Sequence, residues 1–145
     1  MAAEDDVAEL IKQYQLALGE FVKGNPEPVK KLFSHREEVS LANPLGPPAR
    51  GWEQVAQTIE RAASNLRDGE FLGAEIIERN ITPELAYAVW LERATAKVGG
   101  EEDIFVPIAL RVTMIFRPED GTWKVVHRDA DPITTPQPAE SMVQE

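Results

Sequence analysis

The second half of the chain carries four long runs of β-branched and aromatic residues, separated only by short turn sequences. The turns are Asn80–Pro83, the glycine pair at 99 and 100, and Pro118–Gly121. Turns this short join neighbouring antiparallel strands, so the pattern predicts a four-stranded meander. Strands of about ten residues or more favour a sheet that curves around the elements covering it. The predicted strands are Glu70–Arg79, Leu85–Val98, Ile104–Phe116 and Thr122–Ala130.

Helical patterns fill most of the first half. The predicted helices are residues 4–23, 25–33 and 52–67. In the first and the third, apolar side chains recur at the three- and four-residue spacing of one helical face. Asn25–Pro26 supplies a cap and a first-turn proline for the second helix. Asp68–Gly69 is a helix-ending signal, and it predicts the end of the third helix.

A short strand candidate, Val39–Asn43, lies between the second and third helices and leads into a proline-rich loop at residues 44–51. Helices placed before an antiparallel sheet predict an α+β fold in which the helices cover one face of the sheet. No linker interrupts the pattern, so residues 1–131 are predicted to form a single domain. Pro132–Glu145 contains three prolines and no periodicity, and it is predicted to be a mobile tail.

Composition excludes several classes of function. The net charge is −10, from 15 basic and 25 acidic side chains, and no basic cluster suited to a phosphate backbone is evident. Nucleic acid and anionic membranes are therefore not expected as partners. The chain has no cysteine, which excludes disulfides, thiolate zinc sites and cysteine nucleophiles. The acidic start of the sequence and the lack of a long apolar run predict a cytoplasmic protein.

The last predicted strand ends in ionisable side chains. Residues two apart in a strand share a face, so His127 and Asp129 are expected on the same face as Trp123 and Val125. An imidazole beside a carboxylate is a plausible acid–base pair. The alternatives are a salt bridge at the rim of the sheet, or a histidine that is hydrogen-bonded within it.

Two other charged residues interrupt apolar strands. Glu92 lies among alternating alanines and Trp90, and Arg111 lies in the next strand. A charge that points into the core needs a partner, so Glu92, Arg111 and Asp129 could meet across neighbouring strands. The alternatives are a structural ladder of ion pairs and an outward-facing pair at a dimer interface.

Four further residues are candidates for substrate binding: Trp52, Asn43, Trp90 and Tyr14. Trp52 is the strongest of them because it follows the proline-rich loop. The alternative is that the aromatic residues are ordinary core and that Asn43 is a turn residue. No metal site is predicted, since His127 and Asp129 would supply at most half of one. No fingerprint of a redox or phosphate cofactor is present, and no cofactor is expected.

The chain resembles the nuclear transport factor 2-like superfamily, in its SnoaL-like and ketosteroid-isomerase-like branch. The resemblance covers residues 5 to about 131 and rests on the order of the elements and on the sequence segments Ala42–Gly46, Arg50–Trp52, Leu110–Thr113 and Trp123–His127. It implies a cone-shaped fold, in which a strongly curved antiparallel sheet wraps around the N-terminal helices and encloses a central pocket. It also implies a homodimer formed through the outer face of the sheet.

The family often has a second histidine where this chain has Asp129. The set Glu92, Arg111 and Asp129 is also similar in residue type to the water-activating site of epoxide hydrolases of this superfamily. The leading hypothesis is a cofactor-independent enzyme, isomerase- or hydrolase-like, for proton transfer, isomerisation, cyclisation or hydration of a hydrophobic small molecule. Asp129 would be the base, His127 its acid–base partner and Arg111 the orienting group, held by Glu92. The alternative is a non-catalytic ligand-binding or dimerisation module.

Overall fold

The computed structural model describes residues 2–100 and 103–144. Within them, three α-helices and six strands follow one another in the order helix, helix, two short strands, helix and four long strands. Among the described residues, no helix is both long and apolar enough to cross a membrane. The elements are α1 Ala2–Phe21, α2 Glu27–Leu32, β1 Ser40–Ala42, β2 Ala49–Arg50, α3 Trp52–Ser64, β3 Leu66–Ile81, β4 Ala86–Val98, β5 Phe105–Glu119, β6 Thr122–Asp131 and a 3₁₀ turn, Ala139–Met142, in the predicted tail.

The six strands form one curved, open sheet in the order β2-β1-β6-β5-β4-β3. The predicted meander of four long antiparallel strands is confirmed, as are the α+β class and the cone-shaped fold. One pairing differs from a fully antiparallel sheet, because β1 runs parallel to β6, with Ser40 opposite His127. The proline-rich loop also contributes strand β2, which pairs with β1.

The helices cover the concave face of the sheet. Along β4 every second residue is buried, from Ala86 to Ala96, and these residues face the helices. The buried stripe of α1 meets this face and the inner residues of β5 and β6. The largest fully buried side chains of the core are Trp90, Tyr14, Phe33, Phe116 and Met114.

The junction between α3 and the sheet differs from the sequence prediction. The helix ends at Ser64 and β3 begins at Leu66, so Asp68 and Gly69 lie inside the strand. They fall at an irregularity in the pairing of β3 with β4, where Asp68 adopts a φ of 54°. The signal that predicted the end of a helix therefore marks a kink in a strand, because both features need unusual backbone conformations.

Gly69 lies where β3 passes close beneath the end of α1. Its N–H donates to the carbonyl of Val22 at 2.9 Å. A Cβ atom on Gly69 would lie 2.4 Å from that carbonyl oxygen and 2.7 Å from the carbonyl oxygen of Thr95. Both neighbours are backbone atoms and cannot move aside as a flexible side chain would.

We predict that Gly69→Ala lowers the free energy of unfolding by roughly 1–3 kcal/mol, since the added methyl group overfills a backbone contact. Gly19→Ala is the matched control, because a Cβ there has no neighbour within 4 Å and the position lies inside α1. That change should raise the free energy of unfolding by roughly 0.5–1 kcal/mol. Urea unfolding of both variants measures the difference, and equal effects would contradict the close approach.

Candidate functional site

A cavity of about 720 Å³ opens between the helices and the concave face of the sheet. Residues from the three helices, the proline-rich loop and each of the six strands line it, and most of the lining is apolar. Arg128 is buried at its inner end, whereas the loop residues Pro44–Pro48 are exposed at its mouth. The polar side chains in the lining are those of Tyr14, Asn43, Gln54, Gln57, Thr58, Arg61, Asn65 and Arg128.

Arg128 forms a buried ion pair with Glu92 behind this inner end. Arg128 Nη2 donates to Glu92 Oε2 at 2.7 Å, and Nη1 donates to Oε1 at 3.3 Å. Glu92 Oε1 also accepts a hydrogen bond from Trp90 Nε1 at 2.9 Å. The pair crosses over β5, where Arg128 contacts the sulfur of Met114 at 3.8 Å. Burial opposes the charge on Arg128, but the Glu92 carboxylate and Tyr14 outweigh it and hold the pKa of the guanidinium above its ordinary value.

Tyr14 completes the polar group at the inner end. The Arg128 guanidinium lies over the Tyr14 ring, 5.6 Å from its centre. Burial raises the pKa of Tyr14 to about 12, although the positive charge of Arg128 acts in the opposite direction. The hydroxyl group is therefore neutral at physiological pH and can donate a hydrogen bond.

The predicted placement of His127 and Asp129 beside Trp123 is wrong. Ile115 pairs with His127 and Phe116 pairs with Val125, so Val126 is an extra residue in β6. This bulge reverses the alternation of the strand beyond it. As a result Arg128 and Ala130 face the core, while His127 is partly exposed and Asp129 is exposed on the outer face.

Arg111 also lies on the outer face, so the predicted contact with Glu92 does not form. Its guanidinium binds the Asp131 carboxylate, with Nη2 to Oδ2 at 2.8 Å and Nε to Oδ1 at 3.1 Å. Partial burial of Asp131 acts to raise the pKa of its carboxyl group. The contact with Arg111 outweighs this effect, so the pKa of Asp131 lies below its usual range. His127 Nδ1 lies 2.7 Å from Ser40 Oγ in the neighbouring strand. Arg111 therefore forms an outward-facing ion pair, but its partner is Asp131, which was not among the predicted residues, and a dimer interface at this face stays a prediction.

Two of the four predicted substrate-binding residues line the cavity, and two do not. Tyr14 and Asn43 line the cavity. Asn43 also fixes the loop, because its Oδ1 accepts the N–H of Leu45 at 3.0 Å. Trp52 is not part of the lining and stacks instead on His35, with ring centres 3.8 Å apart. Trp90 is fully buried behind the cavity, where it orients Glu92.

Sequence reasoning missed Arg128 and Arg61, both of which line the cavity. A signal for Arg128 was present, because Val125 and Val126 are consecutive apolar residues within an otherwise alternating strand. Such a doublet is typical of a bulge, and shifting the alternation by one residue after it places Arg128 inward. Arg61 carried no comparable signal, since an arginine near the end of a helix is usually solvated.

The polar side chains at the inner end of the cavity offer hydrogen-bond donors to a ligand. Both oxygens of Glu92 already accept hydrogen bonds from Arg128. Among the residues that the structure describes, no carboxylate or histidine side chain lines the cavity, and none cluster in a way that could hold a metal ion. Arg128 and Tyr14 are suited to bind an oxygen atom of a ligand.

We predict that Arg128→Met lowers the free energy of unfolding by roughly 3–5 kcal/mol, because it leaves the Glu92 carboxylate buried without a counter-charge. The double variant Glu92→Gln/Arg128→Met removes both charges and keeps an acceptor for Trp90 Nε1. It should recover most of that loss. Chemical denaturation of the wild type, Arg128→Met and the double variant measures this recovery, and a double variant no more stable than Arg128→Met would contradict the assignment.

The chain has two tyrosines, so the ionisation of Tyr14 can be followed directly. The folded state retains the Tyr14 proton until about pH 12, whereas a free phenol loses it near 10.0. The stability that this provides is complete below pH 10 and is lost as the pH rises towards 12. We expect ultraviolet absorbance to show tyrosinate formation near pH 12 that Tyr14→Phe removes and Tyr87→Phe retains. Its retention in Tyr14→Phe would contradict the burial of this phenol.

Comparison with solved structures places the fold among known proteins. A nuclear transport factor 2-like superfamily protein from Salmonella enterica subsp. enterica serovar Typhimurium str. LT2 aligns with a TM-score of 0.77 and 18% identity over 96% of both chains. A candidate dehydratase of the same superfamily from Streptomyces avermitilis gives 0.75 and 17%, covering 92% of this chain and 99% of that one. A ketosteroid isomerase-like protein from Erwinia carotovora atroseptica gives 0.73 and 16%, covering 90% and 96%.

These identities show a shared fold alone, and no curated protein matches the chain. The sequence itself carries the assignment further, because a family model for the SnoaL-like domain matches residues 7–130. The chain therefore belongs to the SnoaL-like family of the nuclear transport factor 2-like superfamily.

Proposed function

We propose that this protein binds a hydrophobic small molecule in its cavity and holds an oxygen atom of that molecule against Arg128 and Tyr14. The observation that carries the proposal is one polar group at the inner end of a largely apolar cavity of about 720 Å³. Ligand sites commonly combine an apolar wall with a few polar groups that fix orientation. A cavity of this size suits a molecule of a few fused rings or a medium-length chain.

The ion pair of Glu92 and Arg128 determines which polar group of a ligand the inner end of the cavity favours. Because Glu92 compensates the charge of Arg128, this end presents oriented N–H and O–H donors without a net charge. Such donors suit a neutral carbonyl or hydroxyl oxygen. They are already fixed by Glu92, so binding an oxygen requires little reorganisation.

A second candidate is catalysis of dehydration or isomerisation at the same position. Its specific support is that the donors of Arg128 and Tyr14 would polarise a carbonyl group, and that structural relatives include a candidate dehydratase and a ketosteroid isomerase-like protein. Proton abstraction also needs a base within hydrogen-bond reach of the substrate. Since the described lining contains no carboxylate or imidazole, binding is the leading proposal.

The homodimer formed through the outer face of the sheet stays a prediction.

The test uses two ligands of the same shape, acetylnaphthalene and ethylnaphthalene, which differ by one carbonyl oxygen. The ketone should bind the wild type roughly tenfold more tightly or better, as expected for a hydrogen bond to a charged group. The Glu92→Gln/Arg128→Met variant should lose this preference. Asp129→Asn is the control, because Asp129 is exposed on the outer face of the sheet. Equal binding of the two ligands by the wild type would contradict the proposal.

The same ketone distinguishes binding from proton transfer. In deuterated water, exchange of its acetyl hydrogens can be followed by NMR with and without protein. Exchange at the uncatalysed rate in the presence of bound ketone supports a binding role. Accelerated exchange that Tyr14→Phe removes would favour the catalytic candidate.

A further inference from the structure

The charged side chains that line the cavity are both cationic, although the chain as a whole has a net charge of −10. They are Arg128 at the inner end and Arg61 on α3, and the described lining contains no aspartate or glutamate. Glu92 compensates Arg128. The guanidinium of Arg61 has no ion pair within the described part of the chain, so its charge is the uncompensated one in this lining.

Arg61 lies at the mouth of the cavity in the last turn of α3, where it is exposed. Its backbone is fixed, because its carbonyl accepts hydrogen bonds from Ser64 Oγ at 2.7 Å and Asn65 Nδ2 at 2.9 Å. The carbonyl of Asn65 accepts the N–H of Gly99 at 2.8 Å, which ties this end of the helix to the end of β4. The cation therefore sits on a constrained part of the rim.

The adjacent acidic residue does not neutralise Arg61. Glu60 binds Lys30 on α2, with its Oε2 at 2.5 Å from the Lys30 ammonium nitrogen. The end of a helix also carries a partial negative charge of about half a unit, which opposes an anion. Here the last carbonyls of α3 already accept hydrogen bonds, including those of Ala62 and Ala63 from the N–H of Asn65. The full charge of Arg61 therefore dominates locally.

Gln57 adds a second donor at the same rim. It lies one helical turn before Arg61, on the same side of α3, and both residues line the cavity. No hydrogen bond is present for its side-chain amide among the described residues. A guanidinium and an amide spaced by one turn can each donate to one oxygen of a carboxylate.

We propose that the ligand is an amphipathic anion, with its apolar body in the cavity and its carboxylate at Arg61 and Gln57 on the rim. The inference rests on the proposed function and adds the charge of the ligand and its direction of binding. Any neutral oxygen of the ligand lies at the inner end, beside Arg128 and Tyr14. The carboxylate remains at the mouth, where it keeps part of its hydration.

Two ligand pairs test the proposal: decanoate with decanol, and naphthoate with naphthalenemethanol. Each pair shares an apolar body, and only one member is anionic. Isothermal titration of the wild type should give about two- to fivefold tighter binding of the acids, the range of an exposed ion pair. The preference should shrink at high salt, since the contact is open to solvent.

Arg61→Gln should remove the preference for the acids over the alcohols. Arg79→Gln is the matched control, because it makes the same change of charge at an exposed residue of β3 outside the cavity. It should retain the preference. This comparison separates a local contact from the general effect of one positive charge fewer on an acidic protein.

Each outcome decides between the two proposals. Alcohols that bind the wild type as tightly as the acids, or a preference that survives Arg61→Gln, would overturn the anionic ligand and leave the proposed binding function intact. Failure of both members of both pairs to bind would overturn the binding function, and the anionic ligand with it.

Discussion

The buried ion pair between Glu92 and Arg128 is the interaction on which the interior of this fold depends. It joins β4 to β6 across the intervening strand β5, and each of the two buried groups is the counter-charge of the other. Two opposite charges that lose their hydration are stable only with close geometry and further hydrogen bonds. Trp90 supplies one such bond to Glu92, and the ring of Tyr14 packs against the Arg128 guanidinium, so the positions of four side chains are fixed together.

The sequence predicted the fold better than the site, because the partner of Glu92 depends on one inserted residue in β6. Element types depend on local periodicity and turn residues, and these are strong in α1, α3 and the four long strands. The inward face of β6 depends on whether a single residue is inserted. Val126 has no partner in β5, and that one position exchanges Arg128 with His127 and Asp129. Glu92 could be placed correctly because β4 alternates without interruption near it, but its partner could not.

The hydrogen bonds that Glu92 already accepts also limit the chemistry in which its carboxylate can take part. A carboxylate that acts as a base needs a free lone pair directed at its substrate. Glu92 instead accepts hydrogen bonds at both oxygens, from Arg128 and Trp90, and it lies behind the residues that line the cavity. Its effect on a ligand is therefore indirect: it orients the Arg128 guanidinium and cancels its charge. The polar group that a ligand meets is a set of donors.

The two ends of the cavity differ in charge, and this difference would orient a ligand that has one neutral and one anionic end. At the inner end Arg128 is compensated and buried, so an anion placed there would lose its hydration without meeting a net positive charge. At the mouth Arg61 is uncompensated and exposed, so an anion can approach it and remain hydrated. A molecule with one neutral and one anionic end would therefore bind in a single orientation. Although the chain as a whole is strongly acidic, the rim of this cavity attracts an anion locally.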